Sequence, residues 1–257
     1  LVVTVRGDDL LGTPNPGLLW RVRERCAHAI GLAVAYGAAA IVVVSANLLA
    51  ALPVPMRRKA VVIPNGIDMD WFKPLNKLHA RARLGWSEEA KVVLFTASVS
   101  GHQTVKNLPL ALATIDILSQ SVPRVVLQQL ANASWDDVRS MMNAADCLLV
   151  TSLHEGSPDI VKEAMACNLP VVSVPCGDVV ERLKGTCPGK ICPYDAYALA
   201  GAIEEVLKAG CRSNGREQLI SQGLSATSIA KRMDRLYTLI RQGNSVSIES
   251  HERICAE

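Results

Sequence analysis

Apolar residues in this chain fall into short runs separated by longer stretches of helical spacing, and that alternation organises the sequence. From Lys91 onward the runs predict strands over residues 92–96, 125–129, 147–151 and 170–174. Apolar residues at helical spacing predict helices over 108–119, 135–144 and 158–167, and further on over 195–209, 215–222 and 227–241. Strands and helices alternate along this stretch, which implies a parallel sheet covered on both faces. An α/β class follows, with a parallel sheet covered by helices on each side.

The first 64 residues repeat the pattern on a smaller scale. Strands are expected over 1–5, 40–44 and 60–63, with a long helix over 16–36 and a short one over 45–52, capped by Ser45 and stopped by Pro53. The chain opens on Leu1-Val2-Val3-Thr4-Val5 without an initiator methionine, as though in mid-fold, so an amino-terminal truncation is expected. Asn65-Gly66 marks a tight turn after the third strand, and the polar stretch 76–90 reads as a boundary. The expected division is a partial amino-terminal domain over 1–75, a complete carboxy-terminal domain over 76–241, and a frayed polar tail over 242–257.

Composition narrows the function classes. A net charge of +3 from 27 basic and 24 acidic residues is too balanced for a nucleic-acid partner, and 4% aromatic residues leave no stacking platform. The eight cysteines form no C-x-x-C pair and several sit inside apolar runs, so they read as small hydrophobes in a reducing compartment, with Cys187 and Cys192 the pair closest to a disulfide. The uncharged span 26–56 is long enough to cross a bilayer, but Gly31, Gly37, Ser45, Asn47 and Pro53 break it, and a buried helix followed by a strand is expected there. The five histidines show no ligand spacing, so no metal site is expected.

The chemistry concentrates in His154-Glu155-Gly156-Ser157-Pro158-Asp159, which links an apolar strand to a helix. Ser157 is expected to cap that helix with Pro158 at its first position, so that free N–H groups and the helix dipole favour an anion such as a diphosphate. Asp159 and Glu163 lie one turn apart, with Ile160, Ala164 and Cys167 on the face expected to pack on the sheet. Glu155 precedes the helix, where a carboxylate suits a sugar diol. Taken alone, Glu155 and Glu163, two acids eight apart, favour a dipole-stabilising Glu155 and a Glu163 paired to a surface cation.

The wider context resembles a known family. Residues His154 to Pro158 together with Glu163-Ala164-Met165-Ala166-Cys167 resemble the E-x7-E signature of the retaining glycosyltransferases of family 4, which have the GT-B fold of two Rossmann-like domains. Ser45 with Leu48, Pro64-Asn65-Gly66-Ile67-Asp68 with Phe72 and Pro74, and Met142 to Asp146 resemble further family landmarks in the same order. The resemblance implies that Glu155 contacts the transferred sugar and Glu163 the ribose, with Gly156, Ser157 and Pro158 near the sugar and diphosphate. It implies that Lys106 neutralises the departing diphosphate without a metal. Arg6 stands where many members carry a histidine, and Ala97-Ser98-Val99 stand where an arginine is common.

The expected catalytic set is therefore Glu155, Lys106 and Arg6; the donor-binding set is Lys106, His154, Glu155, Gly156, Ser157, Pro158, Asp159 and Glu163. The expected activity is transfer of a hexosyl unit from a nucleotide diphosphate sugar to a hydroxyl acceptor, with no cofactor and no nucleic acid. A cytoplasmic location is expected, with a peripheral seat at the inner membrane face as a further option. The competing expectations are a non-catalytic nucleotide-sugar-binding or protein-interaction module and a nucleotide-sugar epimerase on the same fold.

Overall fold

A computed structural model describes residues 1–7, 18–96, 103–131, 133–244 and 254. In chain order the elements begin with β1 (Val2–Val5), α1 (Leu18–Gly37), β2 (Ala40–Val43), α2 (Ala46–Ala51), α3 (Val54–Arg57) and β3 (Ala60–Val62). Next come α4 (Lys77–Leu84), β4 (Lys91–Thr96), α5 (Gln103–Lys106), α6 (Leu108–Leu118), β5 (Val125–Leu130), α7 (Trp135–Ala144) and β6 (Cys147–Val150). The last are α8 (Asp159–Ala166), β7 (Val171–Ser173), α9 (Val179–Arg182), β8 (Lys190–Ile191), α10 (Ala196–Ala209), α11 (Gly215–Ser221) and α12 (Ala226–Arg241). They form two compact units: one takes 1–66, 154–157 and 223–257, the other 67–153 and 158–222.

The first unit is built on a parallel sheet of order β1-β2-β3. Its central strand is buried at every position because its two faces have separate covers. Ile41 and Val43 pack with Ala35 of α1 and with Leu48, Leu52 and Met56, while Ala40 and Val42 pack with Val61, Ile63, Leu236 of α12 and Ile254. Two expectations change here. Helix α12 belongs with this sheet rather than with the carboxy-terminal domain, because its apolar stripe, with Met233 and Leu236, covers one face of β2. Ile254, expected in a frayed tail, is fully buried in the same cluster. The Asn65-Gly66 turn also has a specific cause: a Cβ on Gly66 would stand 2.8 Å from the Cα of Ala226, so only glycine lets the chain pass the start of α12.

The second unit carries five parallel strands in the order β5-β4-β6-β7-β8. Strands β4, β6 and β7 are almost wholly buried, as apolar runs between two helix layers should be. From β4 the chain crosses to β5 on one side and then returns to β6 on the other. This reversal makes the carboxyl ends of β4 and β6 a topological switch point, the place where open parallel sheets form a ligand crevice. Helix α4 was expected as a polar boundary. It packs instead on α7, with its buried Arg81 bonded to Asp146 and to the carbonyls of Ala144, Ser87 and Glu88.

Candidate functional site

Residues at the carboxyl ends of β4, β5 and β6 carry the chemistry of the second unit. Thr96 ends β4 and Leu130 ends β5, and Ser134 caps α7 through a reciprocal capping box with Asp137, which places Trp135 and Val138 beside them. With Phe72, Ala133, Ile160 and Glu163 they line a cavity of ≈ 250 Å³. Phe72 and Trp135 stand with ring centroids 6.0 Å apart. The wall is mostly apolar, and its two polar side chains are short of partners. Thr96 Oγ1 is buried without a hydrogen bond, and no described residue hydrogen-bonds to the Glu163 carboxylate.

Glu163 owes its state to α8. The helix begins at Asp159 with Pro158 at the cap position, one residue later than expected, and no side chain makes a cap hydrogen bond there. Its packing face is Val161, Ala164 and Met165, so Ile160, expected on that face, turns with Glu163 toward the cavity. The acids one turn apart have different fates. Asp159 pairs with Lys162, whose side chain is 0% exposed, at 2.9 Å. Burial above all, with Asp159 adding and Lys162 opposing, pushes the Glu163 carboxyl up to about 7. A surface ion pair for Glu163 is thereby replaced by a half-buried carboxyl facing a cavity.

Lys106 closes α5, and the chain then turns through Asn107 at φ 54° and ψ 52° into α6. Thr151, at the end of β6, donates its hydroxyl hydrogen toward the carbonyls of Lys106 at 2.8 Å and Asn107 at 3.1 Å. Ala97, Ser98 and Val99 lie outside the described residues.

Arg6, His154, Glu155, Gly156 and Ser157 lie in the first unit. There the backbone of Arg6-Gly7 runs against Gly156: a Cβ on Gly156 would stand 2.1 Å from the Arg6 carbonyl oxygen and 3.3 Å from Leu48 Cδ1. Gly156 is thus a glycine required by close approach of two backbones. Leu48 is placed by α2, whose cap is Ser45, as expected. Arg6 is exposed, Glu155 is half-buried, and His154 keeps a buried Nε2 without a hydrogen-bond partner. Of the remaining calls, Lys106, Pro158, Asp159 and Glu163 lie in the second unit.

The described cysteines, Cys187 and Cys192 included, are free thiols. No cluster of three or more His, Cys, Asp or Glu suited to a metal occurs among the described residues, and no helix among them is long and apolar enough to cross a membrane. The suspected span 26–56 runs through the body of α1, then β2 and α2, and into α3. Residue-pattern reasoning missed Thr96, Trp135, Thr151 and Lys162. The two threonines did carry a signal, since each is the polar residue that ends an apolar run.

Comparison with known proteins fits this geometry. Residues 116–209 match the family model described as glycosyl transferases group 1. The D-inositol 3-phosphate glycosyltransferase of Geodermatophilus obscurus is 28% identical over 193 residues, covering 60% of this chain and 43% of the relative. That of Mycobacterium marinum is 25% identical over 178 residues, covering 60% and 38%. The chain thus spans less than half the length of these curated relatives. Among solved structures, sucrose-phosphate synthase from Thermosynechococcus elongatus superposes with a TM-score of 0.74 at 22% identity, covering 95% of this chain and 68% of the other. Anabaena Alr3699/HepE in complex with UDP-glucose gives 0.69 at 19% identity, covering 83% and 68%. Residues 116–209 are thus similar to the glycosyl transferases group 1 model, within an α/β fold shared with GT-B glycosyltransferases.

Proposed function

We propose that this chain takes part in retaining transfer of a hexosyl unit from a nucleoside diphosphate sugar, with uridine as the base, to a hydroxyl acceptor. The observation that carries the reading is the Glu163 carboxyl, which faces a cavity at the switch point with no hydrogen-bond partner among the described residues. A vicinal diol such as the ribose 2′- and 3′-hydroxyls supplies the donors that this carboxylate lacks. The apolar wall with Trp135 and Phe72 suits a nucleobase. Anabaena Alr3699/HepE, which shares this fold, is found in complex with UDP-glucose, and this favours uridine.

In this reading Lys106 stabilises the charge that grows on the leaving diphosphate, and one ammonium serves without a metal. Glu155 holds the hydroxyls of the transferred sugar, Gly156 keeps the loop thin enough for Arg6-Gly7 to pass, and the acceptor hydroxyl attacks the face from which the diphosphate departs. Arg6 is a permanent cation and contacts phosphate or acceptor rather than serving as a base. The protein works where nucleotide sugars are made, in the cytoplasm.

The test is a thermal-shift panel of UDP-, GDP- and ADP-sugars followed by product analysis, since a ligand of the folded state raises its apparent stability. The expected result is a shift with the UDP-sugar and formation of free UDP plus a glycoside of the donor's anomeric configuration. E163A should remove the shift, whereas E155A should keep it and lower turnover by about 100-fold or more. Full transfer by both variants would exclude the assignment, and an isomerised sugar nucleotide would indicate an epimerase.

A further inference from the structure

The end of β6 is held from two sides by hydrogen bonds that the apolar packing of the strand does not require. On one side the buried hydroxyl of Thr151, 0% exposed, reaches the Lys106 carbonyl at 2.8 Å, and the Leu153 amide donates to the Val105 carbonyl at 2.8 Å. These contacts seize the last turn of α5 where the chain turns through Asn107 in the left-handed conformation, which asparagine adopts more readily than most residues. On the other side the Tyr194 hydroxyl stands 3.0 Å from the Ser152 carbonyl, 3.3 Å from that of Leu153 and 3.5 Å from that of Pro175. With one hydrogen to give, it bridges the ends of β6 and β7. The phenol is far from idle at this place: burial pushes it above its ordinary range. The chain passes from this clamped end directly into His154.

We propose that Thr151 and Tyr194 are positioning residues, which fix the end of β6 so that the backbone of Lys106 is held in register with the strand that leads into the Glu155 loop. The inference rests on the reading of Lys106 as the cation that meets the diphosphate. Neither side chain touches the ligand. Thr151 acts through the Lys106 carbonyl, and Tyr194 acts by keeping the strand end from shifting away from α5.

The distinguishing quantity is the affinity gained from the diphosphate, measured as the ratio of the uridine to the UDP dissociation constant by competition titration on the full chain. K106A should cut that ratio by roughly tenfold or more, as loss of a charge-assisted contact does. T151V keeps the shape and removes the hydroxyl; it should cut the ratio by roughly tenfold with uridine affinity unchanged, and T151S should restore it. Combining T151V with K106A should lower the ratio no further than K106A alone, because both changes remove the same contact. Equal loss of uridine and UDP affinity in T151V, or effects that add in the double variant, would overturn the proposal. Where T151V does not fold, Y194F decides on the same ratio, a fall supporting the proposal and an unchanged value overturning it. A K106A variant that keeps the full ratio, or a chain that binds no UDP, would overturn the donor-site reading and this proposal with it.

Discussion

The two ends of the five-stranded sheet each hold buried polar groups, and they differ in how fully those groups are satisfied. At the amino ends of β4 and β6, Asp146 accepts from Lys77 at 2.5 Å, from Arg81 at 2.8 Å and from the Val92 amide at 2.6 Å. Beside it Arg212 bonds to the carbonyls of Met142 and Ala145 at 3.3 Å and to that of Asn143, and the ≈ 140 Å³ cavity there is lined in part by Lys77, Asp146 and Arg212, which already have these partners. At the carboxyl ends, Thr96 Oγ1 and the Glu163 carboxyl face a cavity without hydrogen-bond partners among the described residues. A satisfied buried network stabilises the fold; an unsatisfied one costs stability unless a ligand completes it. The difference teaches which end of the sheet is built for itself and which for a ligand.

Removing Asp146 should have the largest effect. D146A leaves Arg81, 2% exposed, without its carboxylate and should cost about 3 to 5 kcal/mol in denaturant unfolding. UDP affinity of the fraction that stays folded should be unchanged, because this network serves the frame. A loss below about 1 kcal/mol would break the comparison.

Glu163 should behave in the opposite sense. Its folded carboxyl titrates near 7 and its unfolded one near 4.5. Below 4.5 both forms are protonated and the group is neutral in its effect. As pH rises through that window the unfolded chain ionises first, so stability falls, and the full penalty is present above 7. E163Q should therefore be the more stable protein at pH 8, by at most about 3 kcal/mol, and close to the parent at pH 4, as read from unfolding curves at the two values. T96V should have the smallest effect. Replacing a partnerless hydroxyl by a methyl of the same shape should be neutral or stabilising by up to about 1 kcal/mol in the same assay, whereas a loss of that size would reveal a hydrogen bond.

Much of the scaffold could be read from residues alone, and the failures have identifiable causes. Helix α7 matched at both ends because Ser134 and Asp137 form a capping box ahead of a clear helical pattern. Strand β8 was missed because Lys190–Ile191 is only two residues long and sits between Pro188 and Pro193. Helix α4 was missed because Lys77, His79, Arg81 and Arg83 read as a solvated loop until Arg81 is given Asp146 as partner, a tertiary fact. Ile160 was placed on the wrong face because Ile160 and Val161 open two overlapping apolar stripes that both include Ala164, and the structure buries the one through Val161 and Met165.

The site was legible in its charges and illegible in its neutral parts. Glu155 and Glu163 stood out by type and spacing, and Lys106 only through the family resemblance. Thr96 and Thr151 gave only a faint signal, as the polar residues that end apolar runs, which gains meaning when strand order sets β4 beside β6, and Tyr194 gave none. Lys162 carried no signal in the sequence reading; it is fully buried and pairs with Asp159, while Glu163 lines the cavity.

The central claim, that the carboxyl-end polar groups are left incomplete for a donor nucleotide, is tested most directly by measuring stability and UDP affinity together in E163Q at pH 8. The account predicts that the variant unfolds at a higher denaturant concentration than the parent and binds UDP at least about tenfold more weakly. A variant that loses stability, or one that gains stability while binding UDP as tightly as the parent, would contradict it.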